Sequence, residues 1–139
     1  MASSIPKERR KDLAAVYAAK SLKCALFSSL GAYDALTATT YTALAATGTE
    51  VTGAGYTTGG VALTGKTSAY LAGNGAIMYA DPTSVATATF VARYGVIYVN
   101  AVTPSDKIEA VIDFGANYTV TNGTFTITWD TVNGIFNIQ

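Results

Sequence analysis

Beyond Glu50 the chain is written as short runs of alternating apolar and polar residues, separated by turn-forming pairs. Ile108, Ala110, Ile112 and Phe114 fall on one side of a period-two pattern, and Phe125, Ile127 and Trp129 do the same opposite Thr124, Thr126 and Thr128. That period marks a half-buried strand. Similar runs predict strands at Val61–Leu63, Ser68–Leu71, Ala76–Ala80, Thr87–Ala92, Tyr94–Ala101, Lys107–Phe114, Thr124–Asp130 and Gly134–Ile138. Turn chemistry stands between them at Asn74-Gly75, Asp81-Pro82, Thr103-Pro104-Ser105-Asp106, Asn122-Gly123 and Asn133-Gly134. Upstream, Leu22, Cys24 and Leu26 share one side of a first strand, whereas Tyr33–Thr47 is rich in Ala and Thr without a clear period and reads as a loop with at most a helical turn. Strands in this rhythm, with no helices between them, predict an all-β fold: an antiparallel β-sandwich or jelly-roll-like domain. No repeat points to a solenoid or propeller.

The first twenty residues follow another pattern. Pro6 suits a first helical turn, Ala14, Ala15, Ala18 and Ala19 favour helix, and Leu13, Val16 and Tyr17 recur at spacings of three and four. The expected organisation is a short helical arm over residues 1–20 and a β-sandwich domain over residues 21–139. The apolar stripe is too narrow to hold a helix alone, so the arm needs a surface. Two readings follow: the arm grips a neighbouring subunit or an acidic platform, or it packs on its own domain.

Charge sharpens the first of these. Residues 1–23 carry Lys7, Arg9, Arg10, Lys11, Lys20 and Lys23 against Glu8 and Asp12, a balance of +4, and the remainder balances it at −4. A basic arm on a mildly acidic body suits docking on something acidic. The basic residues are not interleaved with aromatics across the sheet, so nucleic acid is not an expected partner. No apolar run reaches the ~18–20 residues that span a bilayer, and the apolar stretch Leu13–Leu30 contains Lys20 and Lys23 and lacks a cleavage site, so neither membrane nor signal peptide is expected. A single cysteine, Cys24, leaves stability to packing or assembly rather than an intramolecular disulfide.

Candidate chemistry is sparse. Histidine is absent from the sequence, which removes the usual triad base and the commonest metal ligand, and one cysteine cannot build a zinc ribbon. Asp81 and Asp106 stand in turn-like sequence, and Glu109 and Asp113 fall on the polar face of their strand, so no carboxylate pair suggests glycoside hydrolysis. Gly60-Val-Ala-Leu-Thr-Gly65-Lys66-Thr67 matches the phosphate-binding pattern G-x-x-x-x-G-K-[ST] letter for letter. Such a loop needs a buried strand before it and a helix opening at the Lys. Here Thr52–Gly59 precedes it, and Gly73-Asn74-Gly75 follows soon after, so two turns around a short strand are expected instead. No catalytic residue, cofactor or metal is expected, and the chain does not read as an enzyme. Tyr94 and Tyr98 share a strand face and could form a flat platform for a sugar. Asn117-Tyr-Thr and Asn122-Gly-Thr fit the N-glycosylation pattern, which is common by chance.

Three segments carry a resemblance: Thr49-Glu-Val-Thr-Gly-Ala-Gly-Tyr-Thr-Thr-Gly-Gly60, Ala92-Arg-Tyr-Gly-Val-Ile-Tyr98, and Asp113-Phe-Gly-Ala-Asn-Tyr-Thr-Val-Thr-Asn-Gly-Thr-Phe-Thr-Ile-Thr-Trp129. In this order they resemble a family of small tailed-bacteriophage virion proteins described as capsid decoration, cement or fibre-associated proteins. The resemblance runs over about Leu22–Gln139 and leaves the arm outside it. It implies a virion structural protein on the capsid exterior, a homo-oligomer that binds the outer major-capsid lattice and stabilises the head. The arm residues Lys7, Arg9, Arg10, Lys11, Leu13, Val16 and Tyr17 are then the expected contacts to the major capsid protein or a neighbouring subunit. The alternative is a head-fibre or tail component that meets host-surface glycan through Tyr94 and Tyr98.

Overall fold

The computed structural model describes residues 5–34, 37–71 and 75–138; Met1–Ser4 of the arm and Asn74 of the predicted Asn74-Gly75 turn lie outside them. The chain is mostly strand, with antiparallel sheets, an N-terminal helix and one further short helix, consistent with the expected all-β, sandwich-like class. In chain order the elements are α1 (Lys7–Ala19), β1 (Leu22–Ser29), α2 (Tyr41–Thr47), β2 (Thr49–Glu50), β3 (Val61–Ala62), β4 (Thr67–Tyr70), β5 (Ala76–Tyr79), β6 (Thr83–Val99), β7 (Ile108–Ile127) and β8 (Phe136–Ile138). They form two compact units: Met1–Lys20 with Leu63–Thr83 and Ile127–Gln139, and Ser21–Ala62 with Ser84–Thr126. The arm helix thus belongs to a unit with later strands, and the body expected over residues 21–139 is divided in two.

In the second of these units the sheet order is β2-β1-β6-β7, with β3 also paired to β1. β1 and β6 run antiparallel from Leu22 opposite Val99 to Phe27 opposite Tyr94. Both are central strands, and where they pair they are covered on both faces, so Cys24–Phe27 and Val96–Tyr98 are all buried and read as unbroken apolar runs, whereas the first half of β6 alternates buried and exposed positions. Ala25, Phe27, Leu44, Val96 and Tyr98 form one core cluster, with Tyr41 and Tyr94 packed against it. α2 is held at its start by Thr40, whose hydroxyl accepts from the Ala43 N–H at 3.2 Å. β1 pairs along its other edge with β2 at Phe27–Ser29 and with β3 at Lys23–Cys24. Residues 51–60 make an excursion between those two pairings.

The glycines of that excursion have a steric origin. Ala54 forms a bridge with Thr89, and a Cβ on Gly53 or Gly55 would run into the Thr89 or Ala86 carbonyl of β6. Gly60, at φ 78°, leaves no room for a Cβ against the Cys24 carbonyl of β1. What reads as a glycine-rich turn in the sequence is backbone lying directly on backbone.

β6 and β7 are each one long strand where the alternation predicts two. Arg93, which interrupts the apolar pattern, lies at the surface opposite Asp113 with Nε 3.3 Å from Oδ1, so the strand continues beneath it. Asn122-Gly123 is not a hairpin turn. Asn122 sits within β7 at φ 48°, and its N–H donates to Thr89 Oγ1 at 2.9 Å. Ser84 lies beside Thr126 and Arg93 beside Asp113, so a longer piece of β7 faces a shorter piece of β6. Left-handed residues at Gly115 and Asn122 fall in this longer piece, as strand bulges do.

The other unit is a three-stranded antiparallel sheet, β4-β5-β8, with α1 packed on it. Ala76, Ile77, Met78 and Trp129 are buried, and the Trp129 indole N–H donates to Thr83 Oγ1 at 3.0 Å. The turn predicted at Asn133-Gly134 is built by Asp130, whose carboxylate accepts from the Val132 and Asn133 N–H groups at 2.7 and 2.9 Å.

Candidate functional site

Helix α1 has thirteen residues, and its inward and outward sides are not those the apolar stripe suggests. Lys7, Lys11, Ala14 and Ala18 are spaced for one helical side, and that side faces the sheet. Ala14 is fully buried, its small side chain allowing close approach. The Lys7 and Lys11 ammonium groups stand 4.5 and 4.9 Å from the centre of the Tyr70 ring. Tyr17 stacks on Phe136 with ring centres 4.9 Å apart, and Lys20 lies 4.6 Å over the Tyr17 ring. Each cation–π contact at such a site contributes about 0.5–1 kcal/mol. Lysine stems therefore cover apolar surface that a Leu-rich helix would have covered.

This packing leaves the larger apolar residues outside. Leu13 and Val16 are 45% and 55% exposed, and Ile5 just before the helix is 47% exposed. With Arg9 and Asp12, which pair at 3.3 Å, Leu13 and Val16 line a shallow depression of about 230 Å³. The seven expected arm contacts are thus divided. Arg9, Leu13 and Val16 face outward together, Lys7, Lys11 and Tyr17 hold the helix to its own sheet, and Arg10 is half-buried. The basic cluster does not act as one patch, because two of its lysines are committed to Tyr70.

The tyrosine platform is corrected. Tyr94 and Tyr98 do share a face of β6, but it is the face of the core cluster. Tyr98 is 5% exposed, its ring stacks on Tyr41 at 4.2 Å, and its hydroxyl donates to the Gly59 carbonyl at 2.7 Å. With Tyr98 in the core and Tyr94 half-buried against it, the two rings do not form an exposed platform.

The most concentrated polar cluster is centred on Glu50, which the sequence did not single out. One carboxylate oxygen accepts from the Tyr41 hydroxyl at 2.6 Å; the other accepts from the Tyr56 hydroxyl and the Gly59 N–H, both at 2.7 Å. Tyr56 in turn accepts from the Leu26 N–H at 2.9 Å, filling the gap in β1 pairing between β2 and β3. Burial pushes the Tyr98 phenol up to about 12, with the Glu50 and Asp106 charges adding to it. Burial and then the Glu50 hydrogen bond raise Tyr41, and burial also raises Tyr56, where the Leu26 N–H opposes and Glu50 adds. These groups stay neutral, as donors. The arrangement is a clamp that fixes the excursion, with each Glu50 oxygen already engaged.

The other candidate groups also have structural work. Asp106 is 2% exposed and reaches across the fold to the first turn of α2, accepting from the Thr42 N–H at 2.9 Å and the Thr42 hydroxyl at 2.6 Å. Burial pushes its carboxyl up, but the Thr42 and Thr103 hydrogen bonds outweigh this and hold it below the usual carboxylate range. Cys24 is sealed in the core, and burial pushes its thiol up to about 12, far from the thiolate that nucleophilic chemistry needs. Thr67, the last letter of the phosphate-loop pattern, opens strand β4 rather than a helix, and the Lys66 ammonium donates to the Leu63 carbonyl at 3.0 Å. The geometry that would gather phosphates is missing from that segment.

Comparison with known proteins adds no relative to this picture: no family model, no curated protein and no solved structure matches the chain.

Proposed function

We propose that this chain is a virion structural protein of the capsid-decoration type, docking on the outer lattice of a major capsid protein through the outward side of α1. The observation that carries the reading is the exposure of Leu13 and Val16 on a helix whose other side is already fixed to its own sheet. Its resemblance to tailed-phage virion proteins over Leu22–Gln139 supplies the partner class. Full burial of a Leu or Val side chain stabilises by about 1.5–3 kcal/mol, so two half-exposed residues leave roughly 1 kcal/mol each to gain. That is small against the cost of association. A contact of this size suits repeated presentation on a symmetric lattice, where neighbouring copies reinforce one another. Arg9 and Asp12 provide a polar rim beside the apolar pair. The fibre or tail reading, which relied on glycan stacking at Tyr94 and Tyr98, loses that support with Tyr98 in the core.

Immunogold electron microscopy of purified virions, with antibody against the region beyond Leu22, tests the location. Label distributed over the head is expected, and absence of the protein from particles would sink the proposal. Add-back of Leu13→Asp/Val16→Asp protein to depleted particles tests the surface. The double variant should fold and fail to rebind; rebinding at the wild-type level would remove α1 from the contact.

A further inference from the structure

β7 is the last strand of its sheet. β6 occupies one side of it, and on the other Thr39 and Thr40 pair only at its start, beside Ile108 and Lys107. From Glu109 to Thr126 no other strand of the described residues runs along that outer side. An open edge presents a row of backbone N–H and C=O groups, and natural sheets blunt such edges with Lys, Pro, inward charge or bulges; in β7 the bulge-like residues frame the run Ala116–Thr121 and leave the residues between them uncovered. Here Phe114–Trp129 contains no Lys, Arg, Asp, Glu or Pro. Left-handed residues at Gly115 and Asn122 bend the strand at either end of Ala116–Thr121. The run between them is about the length of an average strand, ~5–6 residues. All of it except Val120 is exposed, and Tyr118 is 53% exposed.

We propose that this edge pairs, antiparallel and about a two-fold axis, with the same run of a second copy of the chain. The groups awaiting partners are backbone amides, so the occupant must be an extended strand. Charge selects which strand. The nearest charge is Asp113, countered by Arg93 at 3.3 Å, so the run offers nothing to an acidic or a basic peptide, whereas two copies meet without repulsion. Two-fold pairing sets Thr119 and Thr121 against uncharged residues of the identical run, with Tyr118 near the axis. Threonine and aromatic cross-strand pairs contribute about 0.2–1 kcal/mol each. A single strand pair falls short of the ~800 Å² per partner of a standard stable interface, so the dimer is weak in solution. This inference is separate from the capsid reading, since it uses a different unit of the fold and a different surface.

Sedimentation velocity on the full chain, from about ten micromolar to about one millimolar, tests it in the concentration range where interfaces this small assemble. Reversible dimerisation is expected. Thr119→Lys and Thr119→Glu, each at an exposed position, should separately weaken it on the order of tenfold or more, because a two-fold edge brings like charges together. Mixing the two variants should restore association as a heterodimer. A monomer across the whole range would overturn the proposal, as would variants that dimerise like the wild type or a mixture that stays monomeric. Leu13→Asp should leave the association intact; if it abolishes the dimer while Thr119→Lys does not, the interface lies on α1 and the β7 edge is excluded.

Discussion

Replacing Glu50 by Ala removes the acceptor for three donors at once: the Tyr41 and Tyr56 hydroxyls and the Gly59 N–H, all within 2.7 Å. Hydrogen bonds to a charged group contribute about 1.5–3 kcal/mol each. The cluster is half-buried, so water recovers part of that, and a loss on the order of 3 kcal/mol is expected. Against a total stability of about 5–15 kcal/mol this is a large fraction. With a urea slope of about 1–3 kcal/mol/M the midpoint should fall by roughly 1–3 M without a change in slope. Far-UV circular dichroism is the appropriate readout, because Trp129 belongs to the other compact unit. Glu50→Gln keeps one acceptor oxygen and should lose about half as much. Asp113→Asn, at an exposed site where the side chain meets Arg93 and the Gly115 N–H and where Asn keeps an acceptor oxygen for that N–H, is the control and should leave the midpoint nearly in place. A Glu50→Ala loss below about 1 kcal/mol would show that the carboxylate is solvated rather than clamping, and the account of the excursion would fall.

Further predictions concern backbone and titration. Gly60→Ala should prevent folding or cost several-fold more than Gly115→Ala in urea melts: both positions have positive φ, but only at Gly60 does the new Cβ meet backbone, that of Cys24, while nothing lies within 4 Å at Gly115. Comparable losses at the two sites would refute the close approach. Cys24 should resist a thiol reagent in the native protein at mildly alkaline pH and react fully in denaturant, since its thiol is pushed up to about 12; rapid native labelling would contradict its burial. Tyr41, Tyr56 and Tyr98 hold their protons more tightly folded than unfolded. Their contribution to stability is therefore complete below the free phenol value of about 10 and declines as pH rises through that value toward the Tyr98 folded value of about 12. Tyrosinate absorbance from these three should grow only as the circular dichroism signal is lost; ionisation with the fold intact would overturn that linkage.

The legibility of the chain followed the range of the interactions involved. Local pattern, period two at the two ends of β7 and short apolar runs between turn residues elsewhere, located β1, β3, β4, β5 and β8 as well, because it is a property of neighbours. Continuity was harder to see: Arg93 and Asn122-Gly123 look like breaks until a partner strand supplies Asp113 and Thr89 across the sheet. α2 escaped notice because its anchor, Asp106, lies far along the chain, and seven residues of Tyr, Thr, Leu and Ala are ambiguous alone. On α1 the apolar spacing identified a stripe but not its destination. Lys7 and Lys11 reach Tyr70, so the side that looked polar became the one facing the sheet. Glu50 could have been suspected from the glycines after it, since a stretch so poor in side chains needs something to hold its shape.

The sealed thiol of Cys24 carries a practical consequence. The natural chain contains one cysteine, and it is closed to reagents in the native state. A second cysteine placed on the surface would therefore be the sole reactive handle, without any need to alter the core. Spin labels, fluorophores or gold clusters at position 16 or position 119 could report from α1 and from the β7 edge in otherwise unmodified protein, making each surface separately visible.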